Sequence, residues 1–180
     1  LKMFKNIIKT LLGILSIPIV LGVCAAFFSA LGNIEGIDTL AQKIFLLGVV
    51  LYVIVHLFLF KPNYLYVFGH EFVHVIAIWL SFGSIKQFKV SKNGGSVSGT
   101  KNNLFISISP YFVPIFPIIL SLIYFVLTNS YDIGDLETVF IGLLGFTVAM
   151  HLIMTIDILK IKQPDLIVLG QIFATVLVVS

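Results

Sequence analysis

Polar residues are sparse along this chain, and they divide it into long apolar runs. Six runs stand out, at about 11–31, 41–60, 64–82, 104–128, 136–159 and 166–180. Each is long and apolar enough to be read as a helix, and a helix of about 20 residues crosses a bilayer. Turn signals separate them: "GNIEGID" at 32–38, "KPN" at 61–63, "NSYDIGD" at 129–135 and "KIKQPD" at 160–165. One polar interval differs in kind, "GSIKQFKVSKNGGSVSGTKNN" at 83–103. Ile85, Phe88, Val90 and Val97 flank an Asn-Gly-Gly turn at 93–95, which predicts a short β-hairpin around 85–98 at the membrane face. The expected fold is all-α, a polytopic membrane bundle of about six hydrophobic segments in a single domain, 1–180, with that hairpin as its one β element.

Composition agrees with this reading. Apolar residues make up 59% of the 180 and charged ones 11%, far from the balance of a soluble domain. The net charge of +3 comes from lysines at the edges of the apolar runs. Such lysines set membrane orientation and touch headgroups, and none clusters with aromatics in a polar segment, so no nucleic-acid partner is expected. The single cysteine, Cys24, excludes an intrachain disulfide and a Cys-rich metal site. The run at 11–31 follows a basic start and reads as a retained signal anchor.

Lysines in the N-terminal stretch (Lys2, Lys5, Lys9), the hairpin (Lys86, Lys89, Lys92, Lys101) and the late loop (Lys160, Lys162) place these segments on the cytoplasmic side. The acidic loops around Glu35 and Asp38, and around Asp132 and Asp135, then lie outside. Six alternating spans cannot satisfy all of these, which makes 41–60 and 64–82 the segments in question. The localisation expected is a multi-pass protein of a prokaryotic cytoplasmic membrane, with 83–103 and 160–165 cytoplasmic.

The chemistry concentrates in "FGHEFVHVIAIWL" at 68–80. His70 and His74 are four residues apart and share one face of a helix, so both imidazoles reach a single Zn2+ ion. Glu71 follows the first ligand and is placed to activate water as general base. The chain has three glutamates, Glu35, Glu71 and Glu137, and only Glu71 lies deep in an apolar run. An ionisable group there marks function by default.

"HEFVH" inside a span, then a glycine-bearing hairpin, then the proline-rich "FISISPYFVPIFPII", resembles the site-2 proteases, a family of intramembrane zinc metalloproteases. The resemblance covers about residues 64–165. It implies hydrolysis of a peptide bond in a transmembrane or membrane-proximal substrate segment, which must unwind first and which the hairpin receives as an extended strand. It also implies a third zinc ligand, an aspartate in an LDG motif on a later helix. Here "HLIMTIDILKI" at 151–161 offers Asp157 in an Ile-Asp-Ile setting, without the glycine or the preceding Asn-x-x-Pro. Asp157 is the favoured third ligand, with Asp165 and His151 as alternatives; Asp165 also reads as a helix N-cap after Pro164. His56 reads as a residue bonded across helices, Ser107, Ser109 and Pro110 as the region facing the active helix, and Trp79 as an interfacial anchor. A non-proteolytic zinc protein with a structural, sensing or transport role, or an inactive protease relative, is the alternative function.

Overall fold

The computed structural model describes residues 39–131, 134 and 136–160. The apolar runs at 11–31 and 166–180, and with them Cys24 and Asp165, lie outside the described residues.

Helix α1, Leu40–Ile54, begins at a capping box: the Thr39 hydroxyl accepts from Gln42 N at 3.2 Å and the Gln42 side chain accepts from Thr39 N at 3.1 Å. It runs into a π-helical turn, Val55–Leu59, and stops where Phe60 turns extended before Pro62. The residue before a proline is driven from helical geometry, so "KPN" breaks the chain here. Helix α2, Asn63–Leu80, follows and carries the histidine pair. It ends through Phe82, whose φ of 56° is left-handed, with Gly83 N bonded back to Ile78 O at 2.8 Å.

The predicted hairpin is present as antiparallel strands β1, Ile85–Ser91, and β2, Gly94–Gly99. Its turn lies one residue earlier than expected. Ser91 pairs with Gly94, so Lys92 and Asn93 form the loop, and Gly94 opens β2 at φ 141°. That conformation suits glycine, so the first glycine of the pair works inside the strand.

Asn103 caps helix α3, Leu104–Phe112, by accepting from Ile106 N at 2.8 Å. Helix α4, Ile115–Ser130, continues after Val113 and Pro114 at a bend of 68°. Helix α5, Leu136–Leu159, packs back onto α1 at glycines. A Cβ on Gly48 would lie 2.0 Å from the Gly142 carbonyl oxygen, and one on Gly145 would lie 2.1 Å from the Phe45 oxygen. Small residues thus let these two backbones touch, as membrane helices commonly do. Tyr52, Tyr66, Ala149, Met150 and Met154 form the core that this crossing encloses.

The described residues correct the expected six spans. Two helices are long and apolar enough to cross a membrane, Leu40–Leu59 and Leu136–Leu159; the bent α3–α4 pair makes a third if it is one span. Prolines 110, 114 and 117 break the run at 104–128. Helix α2 does not qualify, because Asn63, His70, Glu71 and His74 leave it less apolar than the two helices that do. Ten of its 18 residues are buried, the polar triplet among them, so its surroundings are largely protein. Large apolar side chains elsewhere, such as Phe58 and Phe125, point outward as expected beside lipid, and Trp79 is 58% exposed.

Candidate metal centre

Helix α2 sets His70, Glu71 and His74 on its protein-facing side, each less than 8% exposed. The two imidazole rings are 5.1 Å apart between centroids, edge to face. His70 also stands edge-on to Tyr111 at 5.1 Å.

His74 is oriented by the backbone. Its Nδ1 lies 2.8 Å from Ile106 O; a carbonyl only accepts, so Nδ1 carries the proton. Metal-ligating histidines are fixed in this way by a carbonyl at the second nitrogen. The carbonyl is available for a reason in the sequence. In a regular helix Ile106 O would accept from the N–H four residues on, and that residue is Pro110, which has none. The proline within α3 therefore supplies the acceptor that holds the histidine of α2.

Glu71 is positioned by the hairpin. Gly95, Val97 and Gly99 share one face of β2, and this face lies along α2. A Cβ on Gly95 would fall 2.4 Å from Glu71 Cγ and 2.7 Å from its Oε1, while one on Gly99 would meet Ile78 at 3.0 Å. Val97 and Ile85 pack on Ala77, Ile78 and Ile106. The spacing matches: Gly95 to Gly99 covers about 13 Å of strand, and Glu71 to Ile78 about 10 Å of helix. The strand tip rests on the glutamate and its base on the end of the helix.

These residues open on a cleft of about 1120 Å³ that β2, α2 and the end of α5 line together. Asp157 lines it too, but the structure does not bring its carboxylate to the histidines. Oδ2 lies 2.5 Å from Lys61 Nζ and 3.3 Å from His56 Nε2, and Oδ1 accepts from Lys160 Nζ at 2.9 Å. His56 Nδ1 in turn lies 3.2 Å from the Tyr52 hydroxyl. His56 thus bonds across helices, from a π turn, a distortion common at functional sites. Among the described residues no group of three or more His, Cys, Asp or Glu side chains is arranged to hold a metal ion.

His151 bonds to the Tyr111 backbone and borders, with His70, Tyr66 and Pro110, a void of about 10 Å³. Of the serines, Ser107 lines the main cleft and Ser109 bonds back to the Phe105 carbonyl within its own helix. Sequence reasoning missed Lys61 as the partner of Asp157, Gly95 as the seat of Glu71, and the Ile106 carbonyl. The first two had signals, a lysine at the helix break and a doubled glycine in the hairpin. For the third, the signal was the proline four residues beyond an unremarked isoleucine.

Comparison with protein-family models, with curated proteins and with solved structures finds no match to this chain. What the geometry defines is a membrane-type helical protein with two imidazoles and a carboxylate on one buried helix face, roofed by a hairpin. Of the donors a zinc ion takes, the described residues gather two, His70 and His74, with the His74 imidazole fixed by a carbonyl as such ligands are.

Proposed function

We propose that this chain is a multi-pass intramembrane zinc metalloprotease, of the site-2 protease kind, that cleaves membrane-embedded or membrane-proximal segments of transmembrane proteins. The observation that carries the reading is the buried His70–Glu71–His74 face, with His74 Nδ1 held by Ile106 O and Glu71 under Gly95 at the floor of a cleft. Its setting is a prokaryotic cytoplasmic membrane, with the hairpin and the loop after α5 on the cytoplasmic side; the lysines of both support this.

His70 and His74 would hold the zinc, with Asp157 proposed as third ligand after release from its lysines. When bound, zinc supplies Lewis acidity towards the peptide carbonyl and lowers the pKa of a coordinated water. Glu71 takes a proton from the attacking water as the new C–O bond forms. It then gives that proton to the amide nitrogen as the C–N bond breaks, leaving a carboxylate and an amine. β2 lines the cleft as an edge strand of small residues, and in this reading it pairs with the unwound substrate.

Glu71→Gln tests the reading: the purified variant retains zinc but no longer cleaves a transmembrane substrate. Loss of zinc with the variant, or undiminished cleavage, would refute it. A role for β2 in pairing predicts that deleting "KNGGSVSGT" abolishes cleavage while zinc stays bound.

A second reading has one observation in its favour. The Asp157 carboxylate is engaged by Lys61, Lys160 and His56, and among the described residues no group of three or more possible ligands is gathered. That suits a non-proteolytic zinc-binding membrane protein, whose structural or sensing role should largely survive Glu71→Gln, or an inactive relative.

A further inference from the structure

The cleft carries a charge pattern for which peptide hydrolysis alone has no use. Between residues 39 and 131 the only acidic side chain is Glu71, whereas Lys43, Lys61, Lys86, Lys89, Lys92 and Lys101 fall in the same interval. Lys61, Lys92, Lys101 and Lys160 line the cleft, together with two carboxylates, Glu71 and Asp157. Asp157 stands between Lys61 and Lys160, one negative charge between two ammonium groups. Lys92 and Lys101 have no carboxylate partner among the described residues.

The positions of Lys92 and Lys101 are ordered along β2. Lys92 sits in the turn just before the strand, and Lys101 two residues past its end. Gly95 rests on Glu71, so the point of chemistry lies about three residues along the strand from Lys92 and six from Lys101. Lys86 and Lys89 lie on β1 and do not line the cleft, which suits headgroup contact. The two lysines at the ends of β2 face the space that a peptide on that strand would occupy.

We propose that the cleft selects extended peptides bearing carboxylates on both sides of the cleaved bond, and that Lys92 and Lys101 are the selecting groups. The proposal rests on the protease reading and adds the class of sequence that enters. Both lysines are exposed, so each attraction is modest and screened by salt, but the same lysines repel basic segments, so discrimination works by both signs.

The test uses the full chain as Glu71→Gln, zinc-loaded, in nanodiscs of phosphatidylcholine alone. The probes are fluorescein-labelled 14-residue peptides with one shared Ala/Ser/Val centre and flanks of Glu, Gln or Lys, read by anisotropy. The Glu-flanked peptide binds about tenfold more tightly than the Gln-flanked one at low salt, and the difference shrinks at high salt. Lys92→Glu with Lys101→Glu, both at exposed positions, reverses the order in favour of the Lys-flanked peptide. Equal binding of Glu and Gln flanks, or a preference that survives the reversal, overturns the proposal. So does a reversal that leaves the peptide order intact and lowers only retention on phosphatidylglycerol vesicles, because the lysines are then headgroup contacts. Cleavage by the wild-type chain separates the two readings. Acidic peptides bound selectively and left uncut sink the protease and leave the selection standing; cutting without regard to flanks does the opposite.

Discussion

Two polar clusters line one cleft: the His70–Glu71–His74 face of α2, and Asp157 of α5 with Lys61 and Lys160, backed by the buried His56. The first is fixed by backbone. A carbonyl that Pro110 leaves open holds His74, and a strand backbone at Gly95 leaves Glu71 room for one seat. The second is fixed by side-chain charge, from a lysine in the linker after α1 and another just past α5. Backbone contacts keep their geometry, whereas a partly exposed ion pair on long side chains is worth about 1 kcal/mol or less and is readily exchanged. Under the proposed function, the contrast suits preorganised chemistry at the first cluster and a ligand that can change partners at the second.

Breaking the backbone side of this contrast should have the larger effects. Gly95→Ala places a Cβ against the Glu71 carboxylate and forces strand or side chain aside. A misplacement of about 1 Å costs up to roughly a hundredfold in rate, so cleavage falls by that order while zinc content stays unchanged. Equal loss of zinc and cleavage would mean that the hairpin supports the whole site, not the base alone. Pro110→Ala gives Ile106 O a helical N–H, in competition with His74 Nδ1. Loss of such a support typically weakens metal binding about 10- to 100-fold, and the low end is expected because the imidazole keeps its place in the packing. Zinc titration measures it, and imidazole nitrogen NMR shifts report whether Nδ1 has lost its fixed proton. Helical content should hold or rise, since alanine suits a helix interior.

The two clusters also differed in how readable they were in the sequence. His70 and His74 were legible because helix periodicity alone puts them on one face, and Glu71 because it is the one glutamate deep in an apolar run. The hairpin was legible from alternation and glycine, although its turn lies at Lys92 and Asn93, because Gly94 takes the positive φ inside the strand. The setting of Asp157 was not legible. It depends on Lys61 and His56, 96 and 101 residues away in sequence, meeting it through the glycine-mediated contact of α1 with α5. The count of spans failed for a local reason: the polar triplet leaves α2 less apolar than a span, and prolines bend the run at 104–128.

The charged cluster can be probed by loosening it. Lys61 holds Asp157 Oδ2, so Lys61→Met, which leaves His56 and Lys160 as its partners, should loosen the carboxylate and raise zinc affinity severalfold, in line with the worth of an exposed pair. Asp157→Ala should lower it. Opposite signs in these two variants establish Asp157 as a ligand that changes partners. A fall in thermal stability in both, with zinc affinity unmoved, would make the cluster purely structural and strengthen the claim of His151 or Asp165.

The smallest effect tests where strain is stored between the two regions. Phe82 ends α2 with φ at 56° and is 95% exposed, a conformation costing a bulky side chain about 1 kcal/mol. Phe82→Gly removes that cost and should raise the unfolding midpoint by a few degrees, less the entropy that glycine adds to the unfolded chain. It also tests what Phe82 does where it stands, next to the base of the hairpin and pointing outward. If the variant is instead less stable in bilayers while more stable in detergent, the ring is anchored in lipid. The strain at the end of α2 is then maintained by the membrane.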